Sequence, residues 1–327
     1  MNTITKYLSE LVQGTRRGWN QFWFTSMDVA TLSLIRVLAG AMLVYTHLVW
    51  SRQLWAFLSP NGLLERSYVH KLRELPSGMP SFAWTYWDWL DRPAAIWTVH
   101  ILGLVALVMF TLGLFTRMTS ILAFLITISY VHRLPGALFG LDQINGMLAL
   151  YLMLGPAGAA FSLDRRRAAA RGTHVPTHSV AANIAIRLIQ VHMCVIYFFA
   201  GAGKLLGASW WDGTAMWGAV ANFEYQSVDI TWLAHAPWVI NGLTHLTVTW
   251  ELTYPILVWP RLTRPIVLLL AVPLHLGIAF CLGMITFGLA MLIGNLAFVS
   301  PDLIRAVTRR GLAADTAVRT GKVVKDV

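Results

Sequence analysis

The stretch VAANIAIRLIQVHMCVIYFFAGAGKLL, residues 180–206, decides how this chain is read. About 20 apolar residues cross the roughly 30 Å of bilayer hydrocarbon as a helix, and this run exceeds that length. Its full charges are Arg187 near the start and Lys204 near the end. An ammonium at membrane depth costs about 2.5–3.5 kcal/mol, so a lysine there needs a task, a partner or a way out. The way out is snorkelling, in which the four-carbon stem carries the amine to the interface a turn or two away. The task is suggested by the neighbours. Gly201 and Gly203 allow another helix or a flat ligand to approach the backbone beside the amine. Tyr197 lies seven residues earlier and so on nearly the same face. Trp211 and Asp212 follow the helix end, where they can fold over the amine. Desolvation favours the uncharged amine, the form that acts as a general base.

Working outward, the whole chain fits this reading. Of 327 residues, 57% are hydrophobic and 12% charged, and the mean hydropathy is +0.60. That composition excludes an ordinary soluble globular protein. Eight spanning helices are expected, at about 28–50, 95–115, 118–135, 142–161, 180–206, 236–258, 264–282 and 284–300. The fold class is therefore an all-α polytopic integral membrane bundle. The last two spans are divided only by Leu282-Gly283-Met284, which leaves a re-entrant pair open. Residues 1–27, with Arg16 and Arg17 ahead of Trp19, Phe22, Trp23 and Phe24, read as an interfacial amphipathic segment. The run Val29 to Trp50 is too long for the apolar part of a cleavable signal peptide.

The net charge of +10 does not point to nucleic acid, because of where the charges fall. With the N-terminus inside, Lys6, Arg16, Arg17, Arg117, the cluster Arg165 to Arg171, Arg261 and Arg264 all lie in inside loops. A basic tail, residues 303–327, joins them, whereas Arg52, Arg66, Lys71, Arg73, Arg92 and Arg133 are left outside. Basic residues gathered on one side set orientation, so both termini are expected in the cytoplasm, in a membrane of the bacterial cytoplasmic type. Cys194 and Cys281 sit inside apolar runs without C-x-x-C spacing and read as packing residues. No metal site is expected.

Charged residues within the spans demand partners. Arg36, Glu251 and His275, with Arg187, His192 and Asn145, come from different helices. The bland account of each is an interhelical hydrogen bond. Taken together, a shared polar interior is the economical account. His47 and His100 fall near span ends and read as interfacial. No Walker or dinucleotide glycine pattern, no H-E-x-x-H and no channel filter is present.

The segment Tyr197-Phe-Phe-Ala-Gly-Ala-Gly-Lys-Leu205, followed by Trp211-Asp-Gly-Thr-Ala215, resembles the horizontally transferred transmembrane (HTTM) domain. This is the membrane part of the vitamin K-dependent gamma-carboxylase superfamily. Glu251-Leu-Thr-Tyr-Pro255, Trp259-Pro-Arg-Leu-Thr-Arg-Pro265, His275-Leu-Gly277 and Gly283-Met-Ile-Thr-Phe287 fall in that family's order. Ser162-Leu-Asp164 closes the fourth span as it does there. The resemblance covers residues 28–302. It implies a lysine that deprotonates a reduced quinone of the vitamin K or menaquinone type. Lys204 occupies the place of that lysine, with Asn145 as a second catalytic residue that hydrogen-bonds a quinone oxygen. Tyr197, Gly201, Trp211 and Asp212 would then hold the cofactor. Gly203 stands where the carboxylases carry a first lysine, and Gly146 where they carry a histidine. The large lumenal domain of the animal enzymes has no counterpart.

Three functions follow as expectations. The first is a carboxylase-like enzyme, a lyase or oxidoreductase, coupling hydroquinone oxidation to modification of a peptide, a lipid or the quinone itself. The second is a non-catalytic membrane partner in maturation of, or immunity to, an exported peptide. The third is a carrier, with Glu251, Arg36 and His275 lining a route.

Overall fold

The computed structural model describes residues 3–74 and 83–308. Most of the expected basic tail, including Arg310, Arg319, Lys322 and Lys325, lies outside them. Helix α1 (Thr3–Phe24) leads through a two-residue strand, β1 (Met27–Asp28), into α2 (Ala30–Ser51). Short helices α3 (Leu54–Leu58) and α4 (Arg66–Glu74) cross the far end of the molecule. Helices α5 (Pro93–Leu112), α6 (Thr116–Arg133) and α7 (Gly140–Leu154) then run up and down, and α8 (Leu163–Ala170) returns along the near end. Strand β2 (His178–Ser179) pairs antiparallel with β1, Met27 opposite Ser179. This small ladder is the one departure from all-α structure among the described residues. Helix α9 (Val180–Lys204) follows, then the one-turn α10 (Ala208–Trp211) and α11 (Ala215–Val220). The chain ends with α12 (Pro237–Leu257), α13 (Arg264–Cys281), α14 (Ile285–Asn295) and α15 (Pro301–Thr308).

Each of the eight expected segments contains a helix, from 11 to 25 residues in length, but not all have the same character. Four helices, α2, α5, α9 and α13, are long and apolar enough to cross a membrane by themselves. The others miss that standard for physical reasons. Helix α14 has 11 residues, about 16 Å of rise, and Ile285–Phe298 is bent by 114° against α15. Helix α7 has 15 residues. Helix α12 is long enough but carries four threonines, Asn241, His245 and Glu251. Leu282-Gly283-Met284 does break α13 from α14, with Gly283 at φ 68° in the left-handed region that glycine tolerates.

Helix ends follow the local chemistry. Pro93, Pro237 and Pro265 sit in the first turns of α5, α12 and α13, where the missing N–H costs nothing. Asp28 accepts from the backbone N–H of Ala30 at 2.7 Å and so opens α2. Helix α9 is the central post, with α1, α2, α7, α12 and α14 packed around it. Its buried side carries Ala182, Ala185, Ile186, Ile189, Met193 and Tyr197. The outer faces of α5 and α13 leave Leu102, Val105, Ile266 and Leu269 exposed. Exposed apolar faces on this scale suit lipid rather than water.

Candidate functional site: a buried ion pair at an apolar cavity

Helix α9 ends at Lys204, and its neighbour α12 passes close enough to meet it. Gly201 makes that approach possible. A Cβ at Gly201 would lie 3.0 Å from Leu252 Cγ and 3.1 Å from Glu251 Cβ, tighter than ordinary contact. No atom would crowd a Cβ at Gly203 within 4 Å, so only Gly201 serves the close approach. Across the seam, Lys204 Nζ lies 2.9 Å from Glu251 Oε1 and 2.7 Å from Oε2. The lysine side chain is 23% exposed and the glutamate 8%. Trp210, on α10, places its ring 5.2 Å from the ammonium, within cation–π range.

The pair lies on the wall of a cavity of about 370 Å³ between α12 and α13, roofed by the segment 207–235. Met216, Val220, Ile230 and Leu233 form the roof, Leu243, Leu246 and Trp250 one side, and Leu270, Leu274 and Ile278 the other. Apart from Lys204, Glu251 and Thr247, the lining is apolar. Trp250 is held in place by its indole N–H, which donates to Val267 O at 3.2 Å.

Behind Trp250 runs a buried hydrogen-bonded chain. Tyr254 Oη donates to Asn295 Oδ1 at 2.7 Å, and Asn295 Nδ2 donates to Tyr197 Oη at 2.7 Å and to Met291 O at 2.9 Å. The Tyr197 hydroxyl proton is therefore directed to His275 Nε2, 2.6 Å away, which leaves the imidazole proton on Nδ1. Tyr197 also packs on Trp250 and Tyr254 with ring centroids 4.8 and 4.2 Å apart. Tyr197 and His275 thus brace the cavity wall from behind, one layer removed from the amine.

The structure separates the remaining candidates. Trp211 is 66% exposed and its indole donates to Leu205 O, because adjacent residues on the single turn of α10 point about 100° apart. Trp210 takes the place by the amine instead. Asp212 caps the next turn, accepting from the N–H and Oγ1 of Thr214, and these bonds hold its carboxyl below the ordinary range. Neither Trp211 nor Asp212 lines the cavity. Asn145, near the start of α7, opens onto a different and much smaller cavity with His47 and Tyr130.

The shared polar interior divides into separate clusters. Arg36 belongs to the opposite end, where its guanidinium donates to Phe110 O and Phe161 O. Beside it, Asp164 accepts from the N–H groups of Phe115 and Thr116 and from Thr116 Oγ1. Burial raises the Asp164 carboxyl, but these bonds outweigh it and leave the net shift downward. Arg187 stacks on Phe22 at 4.3 Å, and His192 bonds Tyr151 Oη. A route lined by Arg36, Glu251 and His275 together is not formed. His47 and His100, read as interfacial, are instead buried. His100 lies between Ser51 Oγ at 2.7 Å and Tyr130 Oη at 2.5 Å.

Sequence reasoning missed Trp210, Trp250, Asn295 and the pairing of Lys204 with Glu251. The pairing had a signal, since a lone anion and a lone lysine in spans of opposite direction each lack a counterion. Trp210, Trp250 and Asn295 had none beyond hydrophobicity. Compared with known proteins, residues 24–303 match the HTTM domain family. No curated protein and no solved structure matches the chain.

Proposed function

The chain belongs to the HTTM domain family, which is related to the vitamin K-dependent carboxylases, and on that premise we propose a quinone-dependent membrane enzyme that uses Lys204 as its base. The observation that carries this reading is a single buried ion pair on the wall of an otherwise apolar cavity. A volume of about 370 Å³ suits a flat ring with part of an isoprenoid tail, and Trp210 and Trp250 offer the faces on which a ring would lie. A bound hydroquinone would supply an ionisable phenolic hydroxyl and two electrons.

The chain's own part is to manage one proton. At rest Nζ holds it and donates it to Glu251 Oε1, with Oε2 2.7 Å away. Its passage to Glu251 leaves a lone pair on Nζ beside the cavity and a neutral carboxylic acid beside the amine, with no change in net charge. Trp210 lies over the same nitrogen and holds it at the cavity wall. Eight spans with both termini in the cytoplasm, in a bacterial cytoplasmic membrane, form part of the same proposal, as does a peptide or lipid acceptor.

The test uses full-length protein purified in mild detergent. Its lipid extract should contain a quinone by mass spectrometry, and added hydroquinone should be oxidised on exposure to oxygen. Lys204→Ala should abolish that turnover, and wild-type rates from this variant would overturn the assignment. A second reading has its own support. An ammonium that already donates to the carboxylate of Glu251 has its counterion, as in an inert scaffold. On that reading the protein assists an exported peptide without chemistry, and co-purification of the peptide with Lys204→Ala would show it.

A further inference from the structure

The smaller cavity in the same half of the bundle has a chemistry of its own. It is enclosed by α2, α6 and α7 and the segment leading into α7, and its volume is about 20 Å³. That is room for one molecule the size of water and for no ring. Seven side chains that carry polar atoms line it: Thr46, His47, Trp50, Thr127, Tyr130, Asp142 and Asn145.

The donors among these side chains are largely committed elsewhere. The Thr46 hydroxyl donates to Leu43 O at 3.0 Å, and that of Thr127 to Ala123 O at 2.7 Å. His47 Nδ1 lies 2.7 Å from Leu43 O, which can only accept, so the imidazole proton is on Nδ1 and Nε2 is a bare lone pair. Ser51 Oγ donates to His47 O, so it accepts from His100 Nε2. His100 Nδ1 then accepts from Tyr130 Oη. Besides the Asn145 amide NH2 and the Trp50 indole N–H, what remains among these side chains are acceptors. Two of them, His47 Nε2 and Asn145 Oδ1, are buried without a hydrogen-bond partner, in side chains only 4% and 3% exposed. The Tyr130 oxygen and the Asp142 carboxylate stand beside them. Two buried acceptors without partners are costly to leave unsatisfied, and neither atom carries a proton to offer the other.

We propose that this cavity is a binding site for one small hydrogen-bond donor, a water molecule or an ammonium ion, held between His47 Nε2 and Asn145 Oδ1. Either guest carries at least two hydrogens and fits the volume. The bound donor couples α2 to α7. It also extends the Ser51–His100–Tyr130 line into the middle of the bundle. The site is independent of Lys204 and stands or falls apart from the proposed quinone chemistry.

A double-substitution cycle on the full-length protein tests it. His47→Phe and Asn145→Leu each remove one acceptor and should each lower the melting temperature by several degrees. The double variant, with neither acceptor left to satisfy, should melt no lower than the worse single one. Strictly additive losses would overturn the proposal. Should either variant misfold, a high-resolution cryo-EM map of the unmodified protein supplies a second reading. Density bridging the two atoms supports the site, and an empty gap overturns it. Ammonium chloride against sodium chloride at equal ionic strength then identifies the guest. A melting temperature raised by ammonium alone assigns the ion, and no difference assigns water.

Discussion

Arg36, fully buried, and Lys204, partly buried at the end of α9, are both cations on long apolar helices, and the molecule treats them in opposite ways. Around Arg36 the chain closes tightly. Gly113 takes φ 69°, and a Cβ at that position would overlap the guanidinium. The charge is met by the backbone carbonyls of Phe110 and Phe161, with Asp164 close by. Lys204 instead faces one carboxylate, one indole and an open apolar volume. A cation bonded by fixed carbonyls has no proton to give and no space beside it. A cation paired with a titratable carboxylate, next to room for a ligand, has both. The comparison separates a structural charge from one available for chemistry.

The largest expected effect comes from filling the tight end. Gly113→Ala puts a side chain into a left-handed position and against Arg36 Nη1, and should cost about 3 kcal/mol or more. Thermal melts in detergent will measure it, and a loss below about 1 kcal/mol would show that this end is less rigid than described. Next comes the pair at the cavity. Glu251→Ala leaves Lys204 without a counterion and should cost about 1–3 kcal/mol, less than a fully buried pair because the lysine is 23% exposed. Lys204→Met combined with Glu251→Leu should recover most of that stability while leaving no quinone turnover. Recovery of both would break the distinction.

The smallest effect belongs to the outer rim of the tight end. Arg305 donates from Nε and Nη2 to the two oxygens of Asp28, each at 2.8 Å. Burial raises the Asp28 carboxyl, but the bonds from Arg305 and from the Ala30 N–H outweigh it, and the net shift is downward. A carboxyl lowered in the folded state stabilises fully above its unfolded value, near 4, and loses that contribution as pH falls through the folded value. Stability should therefore drop by about 1 kcal/mol as pH is taken below about 4, and Arg305→Ala should flatten that part of the profile. An unchanged profile would show that the bridge contributes nothing.

Most of the helical architecture was legible because apolar length is a strong signal, and Lys204 was legible because a charge in such a run is costly. Partnership was harder to read. Helical spacing puts Tyr197 and Lys204 on one face, but it does not say that Tyr197 would bond His275 while Lys204 met Glu251. Trp210 and Trp211 are equivalent on paper, and only the pitch of a single turn decides which ring reaches the amine. Asn145 was assigned by resemblance to the quinone. Its placement depends on how α7 rotates against α2 and α6, which no local pattern records. The interior histidines were misplaced for a related reason. Position near a span end says nothing about burial once loops such as α3 and α4 fold back over that end.

The salt bridge between Asp28 and Arg305 joins residues 277 positions apart. During synthesis helix α2 is made long before the arginine that fastens its base, so that base stays open until α15 has been made. A chain that stops short of Arg305 would leave the Asp28 carboxylate without this partner.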